Sequence, residues 1–277
     1  MSDWRPGERK RRHALEGPFD GVPEHLVAPL RDWCHAILTG NDDLLEKVCV
    51  SLRLPSYGYG ATGRHSLLSE AIAPPRHLLL DIVEFLIESS TEWDSSVGYE
   101  DVQELDKLLA RGNSLFRVKP DHRGLLTQVL PAVKAEVQEV VDSAGETSAG
   151  GHLAEAWGAA YARTPDPVKA YSESIKAVEA ALAPHISPQN SKQTLGTMIT
   201  NVSDKPTKWT CVLPSNDAES GVLMVLALMR ALWTGQTSRH GGLGPTRHET
   251  PDEARAAVHL AATVVQLATS GAFRLAD

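Results

Sequence analysis

Apolar residues recur three and four positions apart along most of this chain, which is the period of an amphipathic helix. Between Glu24 and Leu38 the repeating positions are Leu26, Leu30, Trp33 and Ile37. Gly40-Asn41 then reads as a stop followed by a cap, and Asp42 to Leu52 as the next helix. Arg76 to Ser89 is densely apolar behind Pro74-Pro75, and Tyr99 to Ala110 sets Val102, Leu105, Leu108 and Leu109 on one side. Leu115 to Val118 is a short run that reads as strand or linker. Leu126, Val129, Leu130, Val133, Val137 and Val140 predict one long helix over Leu125 to Val141, kinked at Pro131.

Ser143 to Gly151 is small, polar and glycine-rich, and marks the expected domain boundary. Beyond it, Leu153, Trp157, Ala160 and Tyr161 form one helix face, and Thr164-Pro165-Asp166 restarts the chain. Tyr171, Ile175, Val178 and Leu182 form the next face, with Pro184 to Asn190 as a loop and a short helix around Leu195 to Val202. Trp209 to Leu213 is an apolar run of open assignment. Asn216 with Glu219 reads as a cap for the helix that carries Val222, Val225, Leu226, Met229, Leu232 and Trp233. Gly235 ends it. Thr250-Pro251-Asp252-Glu253 is a capping-box pattern with proline at the first helical position. The helix it opens buries Ala254, Ala257, Val258, Ala261, Val264, Val265 and Ala268, a face suited to close helix approach. The expected fold is therefore all-α: an arm at 1–22, a helical N-terminal module at 23–142 and a four-helix bundle at 149–277.

Composition narrows the function. With 42% hydrophobic and 22% charged residues, the 277-residue chain has a globular balance. Its formal net charge of -8 argues against a broad nucleic-acid coat, and leaves room for a small basic site. The cluster Arg9 to Arg12 reads as a solvated tail. Cys34, Cys49 and Cys211 show no CxxC spacing, so neither a disulfide framework nor a cysteine zinc site is expected. The charged residues Met1 to His13 are followed by no apolar run, and Val222 to Trp233 is too short to span a bilayer. A cytoplasmic protein without membrane partner is expected.

Gly58, Gly60 and Gly63 spell GxGxxG, but the run before them reads as helix rather than strand. A surface loop is expected there, and no nucleotide cofactor. No HExxH or GxSxG occurs, and no metal or other cofactor is implied. The segment Gly235 to Glu249 stands out because Arg239, His240, Arg247 and His248 crowd a glycine-rich loop that leads into a helix N-terminus. Such an end attracts anions, arginine forks suit phosphate, and histidine moves protons near neutral pH. Together they suit RNA phosphate and metal-independent attack by a 2′-hydroxyl. Residue types alone favour the other reading, a polar connection whose side chains cap helices and pair with acids, since charged loops outnumber active sites.

Several stretches in order carry a resemblance. They are His152 to Trp157, Asp166 to Ala170, Ser174 to Ala180, Thr194 to Gly196, Leu232 to Gln236, Arg239-His240-Gly241 and the helix Glu253 to Leu267. In these the chain, over about residues 149–273, resembles HEPN-like proteins, especially abortive-infection relatives of actinobacterial type. The resemblance implies a bundle that dimerises, with a polar site at the helix or dimer interface. It also implies RNA cleavage in active members by an arginine and a histidine. On it, His240 would be the acid/base and Arg239 the phosphate clamp, with Arg247 and His248 secondary. Lys176 and Glu179 would either orient them or stand as solvent-facing helix charges. Arg239 and His240 are adjacent here, which departs from the family spacing. The expectation is a defence or toxin-type protein, a ribonuclease or else a non-catalytic dimeric binding or sensing protein.

Overall fold

A computed structural model describes residues 18–89, 97–128, 131–144, 148–190, 193–213, 220–239 and 246–276. The Arg9 to Arg12 cluster and the Asn216–Glu219 cap lie outside them. The described chain is mostly helical and all-α in class, with two small two-stranded antiparallel sheets. Among the described residues no helix is long and apolar enough to cross a membrane.

Contacts divide the chain into two units, 1–128 and 129–277. The first holds α1 (Glu24–Leu38), α2 (Asp42–Ser51), α3 (Gly60–Ala71), α4 (His77–Ser89), α5 (Tyr99–Arg111), β1 (Phe116–Val118) and β2 (Leu125–Thr127). The periodic positions of α1 become its buried face, Leu26, Leu30, Trp33 and Ile37. That face packs against α3, α4 and α5. Asn41 caps α2 by accepting from the Leu44 N–H at 2.9 Å. The GxGxxG stretch follows helix α2, and its loop is tied back to it: the Gly60 N–H donates to Asp42 Oδ1 at 2.8 Å. Gly58 and Gly60 have positive φ, and a Cβ on Gly63 would strike the Gly58 carbonyl. These glycines are demanded by a tight loop-to-helix turn.

Two expectations are corrected at the junction. Leu125 to Val141 is not one kinked helix. Leu125–Thr127 pairs with Phe116–Val118, Arg117 opposite Leu126, and the helix starts only at Pro131. Proline lacks the N–H that a helix interior needs, so it opens the helix instead of bending it. The boundary also falls after Gln128, not at Ser143 to Gly151. Helix α6 (Pro131–Ser143) packs on the C-terminal helices and so belongs to their unit.

The second unit continues with α7 (Ala149–Ala160), α8 (Pro167–Ile186), α9 (Leu195–Asp204), β3 (Trp209–Cys211), α10 (Ser220–Gly235), α11 (Pro251–Thr269) and β4 (Phe273–Leu275). Helix α8 lies at its centre, packed on α7, α9 and α11. Alanines make the approach close: Ala156 and Ala160 on α7, Ala177 on α8, and Ala254, Ala257 and Ala261 on α11 are almost fully buried. Asp166 caps α8 through the Lys169 N–H, and Pro167 takes the first turn. Pro184, expected in a loop, falls in the last turn of α8. The open run at Trp209 is strand β3, paired with β4, and Trp209 stacks on Phe273 at 5.3 Å between centroids. The capping box of α11 is present in full, with Thr250 accepting from the Glu253 N–H and Glu253 from the Thr250 N–H.

Candidate functional site

Three parts of the second unit meet around the loop that follows α10. Trp233 stands in the last turn of α10 and is half-buried. The Arg239 guanidinium lies over its ring, 3.4 Å from the centroid, and donates to the Trp233 carbonyl oxygen at 2.9 Å. Gly196 at the start of α9 backs the same indole, since a Cβ there would come within 2.6 Å of a Trp233 ring carbon. Thr194 caps α9, and the Glu179 carboxylate of α8 accepts from the Leu195 N–H at 2.6 Å. That puts an anion at a helix N-terminus, where free N–H groups and the helix dipole favour it. Burial nevertheless raises the Glu179 carboxyl above its ordinary range, against the pull of Leu195, Lys176, Arg239 and His152.

A second carboxylate, Glu173, lies two turns earlier on α8 and is buried. It accepts from Lys176 Nζ at 2.7 Å and bonds His152 Nδ1 of α7 at 2.7 Å. Burial alone would raise its carboxyl; the bonds to Lys176 and His152 outweigh that and leave it below the ordinary range. Glu249, at the end of the loop, is buried and accepts from the Ser238 N–H at 2.8 Å. Burial pushes its carboxyl up too, but donors on Ser238, its own backbone and Thr237 prevail, so its pKa is lowered. Its Oε2 is buried without a hydrogen-bond partner among the described residues. Tyr171 is pushed up to about 12, first by burial and then by Glu249 and Glu253, with Arg239 opposing.

The expected residues separate into groups. Arg239 acts on Glu179 through space. Lys176 belongs to the Glu173 pair and reaches Glu179 only through space. Arg247 is turned onto α11, where its two terminal nitrogens fork onto Glu253 at 2.7 and 2.8 Å. Its partner Glu253 is held down at about 2 by that pair first and by the Thr250 N–H next. His248 is exposed, and its carbonyl oxygen accepts from Arg247 at 3.3 Å. His240 lies outside the described residues. Trp233, one of the periodic apolar positions of its helix, presents its ring to Arg239.

His152, Glu173, Tyr171 and Glu249 were missed in the sequence. Glu173 carried a usable signal: it sits among positions of α8 that are otherwise apolar or small, next to Tyr171 and Ile175. A buried carboxylate must find donors, and His152 and Lys176 are those donors. Among the described residues no three His, Cys, Asp or Glu side chains are placed to share a metal ion. Compared with family models, with curated proteins and with solved structures, the chain matches none.

Proposed function

We propose that this protein is a HEPN-like helical protein of abortive-infection type that works, as a homodimer, by binding or sensing a partner at the loop between α10 and α11 without cleaving RNA. The observation that supports this reading is the commitment of both loop arginines. Arg239 is stacked on Trp233 and bonded to its carbonyl oxygen, and Arg247 is forked onto Glu253. Glu179, half-buried, acts through space on Arg239, and Glu249, buried, on Arg247. A polyanion approaching this loop meets more carboxylate than unspent positive charge, and RNA affinity rests on phosphate neutralisation. A partner carrying donors or positive charge suits the surroundings better.

The ribonuclease reading has its own support in Arg239, which is held in place beside Trp233 rather than free in solvent. Incubating a mixed RNA pool with the protein in EDTA separates the two, with His240→Ala and Arg239→Ala as controls and the oligomeric state measured alongside. A stable dimer that leaves RNA intact upholds the binding role. Cleavage abolished by both substitutions overturns it in favour of a metal-independent endoribonuclease.

A further inference from the structure

A groove of about 430 Å³ lies between α6 and α11, in the range of small-molecule sites. It shares no residue with the loop after α10. Its walls are unequal in chemistry. Val137 and Val140 of α6 are buried and, with Ala262 of α11, supply an apolar surface. Glu136 and Glu139 border that apolar stripe along one edge of α6, and both are exposed. Among the described residues no lysine or arginine lines the groove.

On the α11 side the groove holds His259, Thr263 and Gln266. His259 is fixed from behind: its Nε2 is 2.8 Å from the Tyr161 hydroxyl, and its ring stands edge-on to Trp157 with centroids 5.6 Å apart. Burial lowers its pKa, so the imidazole stays neutral near pH 7 and adds no positive charge. The Thr263 hydroxyl spends its proton on the His259 carbonyl oxygen at 3.0 Å, which leaves its lone pairs to accept. The groove therefore combines two carboxylates, hydrogen-bond acceptors and an apolar floor.

We infer that the groove between α6 and α11 binds a small organic cation, its ammonium or amidinium head set against Glu136 and Glu139 and its apolar body on Val137, Val140 and Ala262. Charge decides the class, because an anion of the same shape would face the carboxylates of Glu136 and Glu139, with no cation among the described lining residues to offset them. Size decides against a peptide helix, since the volume holds one small molecule.

The experiment titrates the full chain by calorimetry with two probes of equal apolar body and opposite charge, naphthylmethylammonium and naphthylacetate. The cation is expected to bind and the anion to give no heat. Replacing both carboxylates, Glu136→Gln with Glu139→Gln, should weaken the cation by about tenfold, the scale of two exposed charge pairs. Thr263→Trp starts from an exposed position on the wall and should block the groove altogether. The inference is overturned by equal binding of the two probes, or by cation binding indifferent to the double substitution. It is overturned as well if neither probe binds up to about 1 mM. If Thr263→Trp fails to fold, the double substitution at exposed glutamates still decides the matter.

Discussion

The Arg239 guanidinium carbon lies over the Trp233 ring at 3.4 Å from its centroid, and Gly196 packs against that same indole. The tryptophan thus serves as a plate between the first turn of α9 and the loop after α10. An arginine on an aromatic face gains about 1 kcal/mol at a partly exposed site. This contact positions the loop more than it stabilises the fold.

Gly196→Ala tests the plate. Alanine would favour the helix by up to about 1 kcal/mol, but its Cβ cannot share space with the indole, and overpacking costs about 1–3 kcal/mol. The expected outcome is a lower Tm. In a Trp233→Leu background the same substitution should become neutral or stabilising. A double-mutant cycle by urea unfolding reads that coupling, and additive effects would show that the two residues do not meet.

Glu173→Gln tests the buried carboxylate. The glutamine keeps the shape and loses the charge that His152 and Lys176 answer, so about 1–3 kcal/mol of stability should go. The pH dependence has a definite sign. The folded carboxyl titrates below its ordinary value of 4.5, so the unfolded chain takes protons first on acidification. Glu173 therefore contributes stability above that value, and the contribution disappears as pH falls through the folded pKa. Urea midpoints between about pH 6 and pH 3 should fall less steeply in the variant than in the wild type.

Arg247→Ala should let the Glu253 carboxyl rise from about 2 toward 4.5, a change read directly by carbon NMR titration of the side chain. Helix α11 should survive it, because the Thr250 cap remains. Thr250→Ala removes that cap instead and should cost about 1 kcal/mol. If Glu253 does not move in Arg247→Ala, the fork seen between the two side chains is absent in solution.

His259 gives a second pH signature. Burial lowers its pKa below 6.5, so the unfolded chain binds the proton more readily. The neutral imidazole's contribution is complete above about pH 6.5 and is lost as pH falls through the folded pKa. A proton-resonance titration of the ring should place its midpoint below the ordinary histidine value, and His259→Gln should remove that part of the acid destabilisation.

The proposed binding role predicts a shallow salt response toward nucleic acid. With Arg239 and Arg247 already engaged, any RNA contact should release few counterions, giving a log–log salt slope of magnitude below about 2. Fluorescence anisotropy of a labelled RNA oligomer across salt concentrations measures it. A steep slope would mean that the loop cations are available to phosphate after all.

Local patterns account for much of what was legible. The apolar periods of α1, α5, α8, α10 and α11 found their buried faces, and Asn41, Asp166 and Thr250 found the helix starts they cap. Each depends on residues within a few positions of one another. The failure at Leu125 to Val141 has the opposite origin. Leu125, Leu126 and Thr127 satisfy a helical period as well as a strand, and only pairing with Phe116–Val118 chose the strand. The same holds for Trp209 to Cys211, whose state depended on Phe273–Leu275 far along the chain.

The sequence by itself determined the helical class, most of the faces that would be buried, the helix starts at Asn41, Asp166 and Thr250, and a segment in which arginine and histidine gather. Tertiary structure alone decided what those charges do. Arg247 was open between phosphate and a nearby acid and is bound to Glu253; Arg239 was read as a clamp or a capping side chain and is laid on Trp233; Glu173, unremarked in the sequence, became a buried anion between two helices. The physical reason is the range of the interaction. Helical period and capping act over one or two turns of chain, whereas the fate of a charge depends on which donors, acceptors and rings the fold brings beside it from elsewhere.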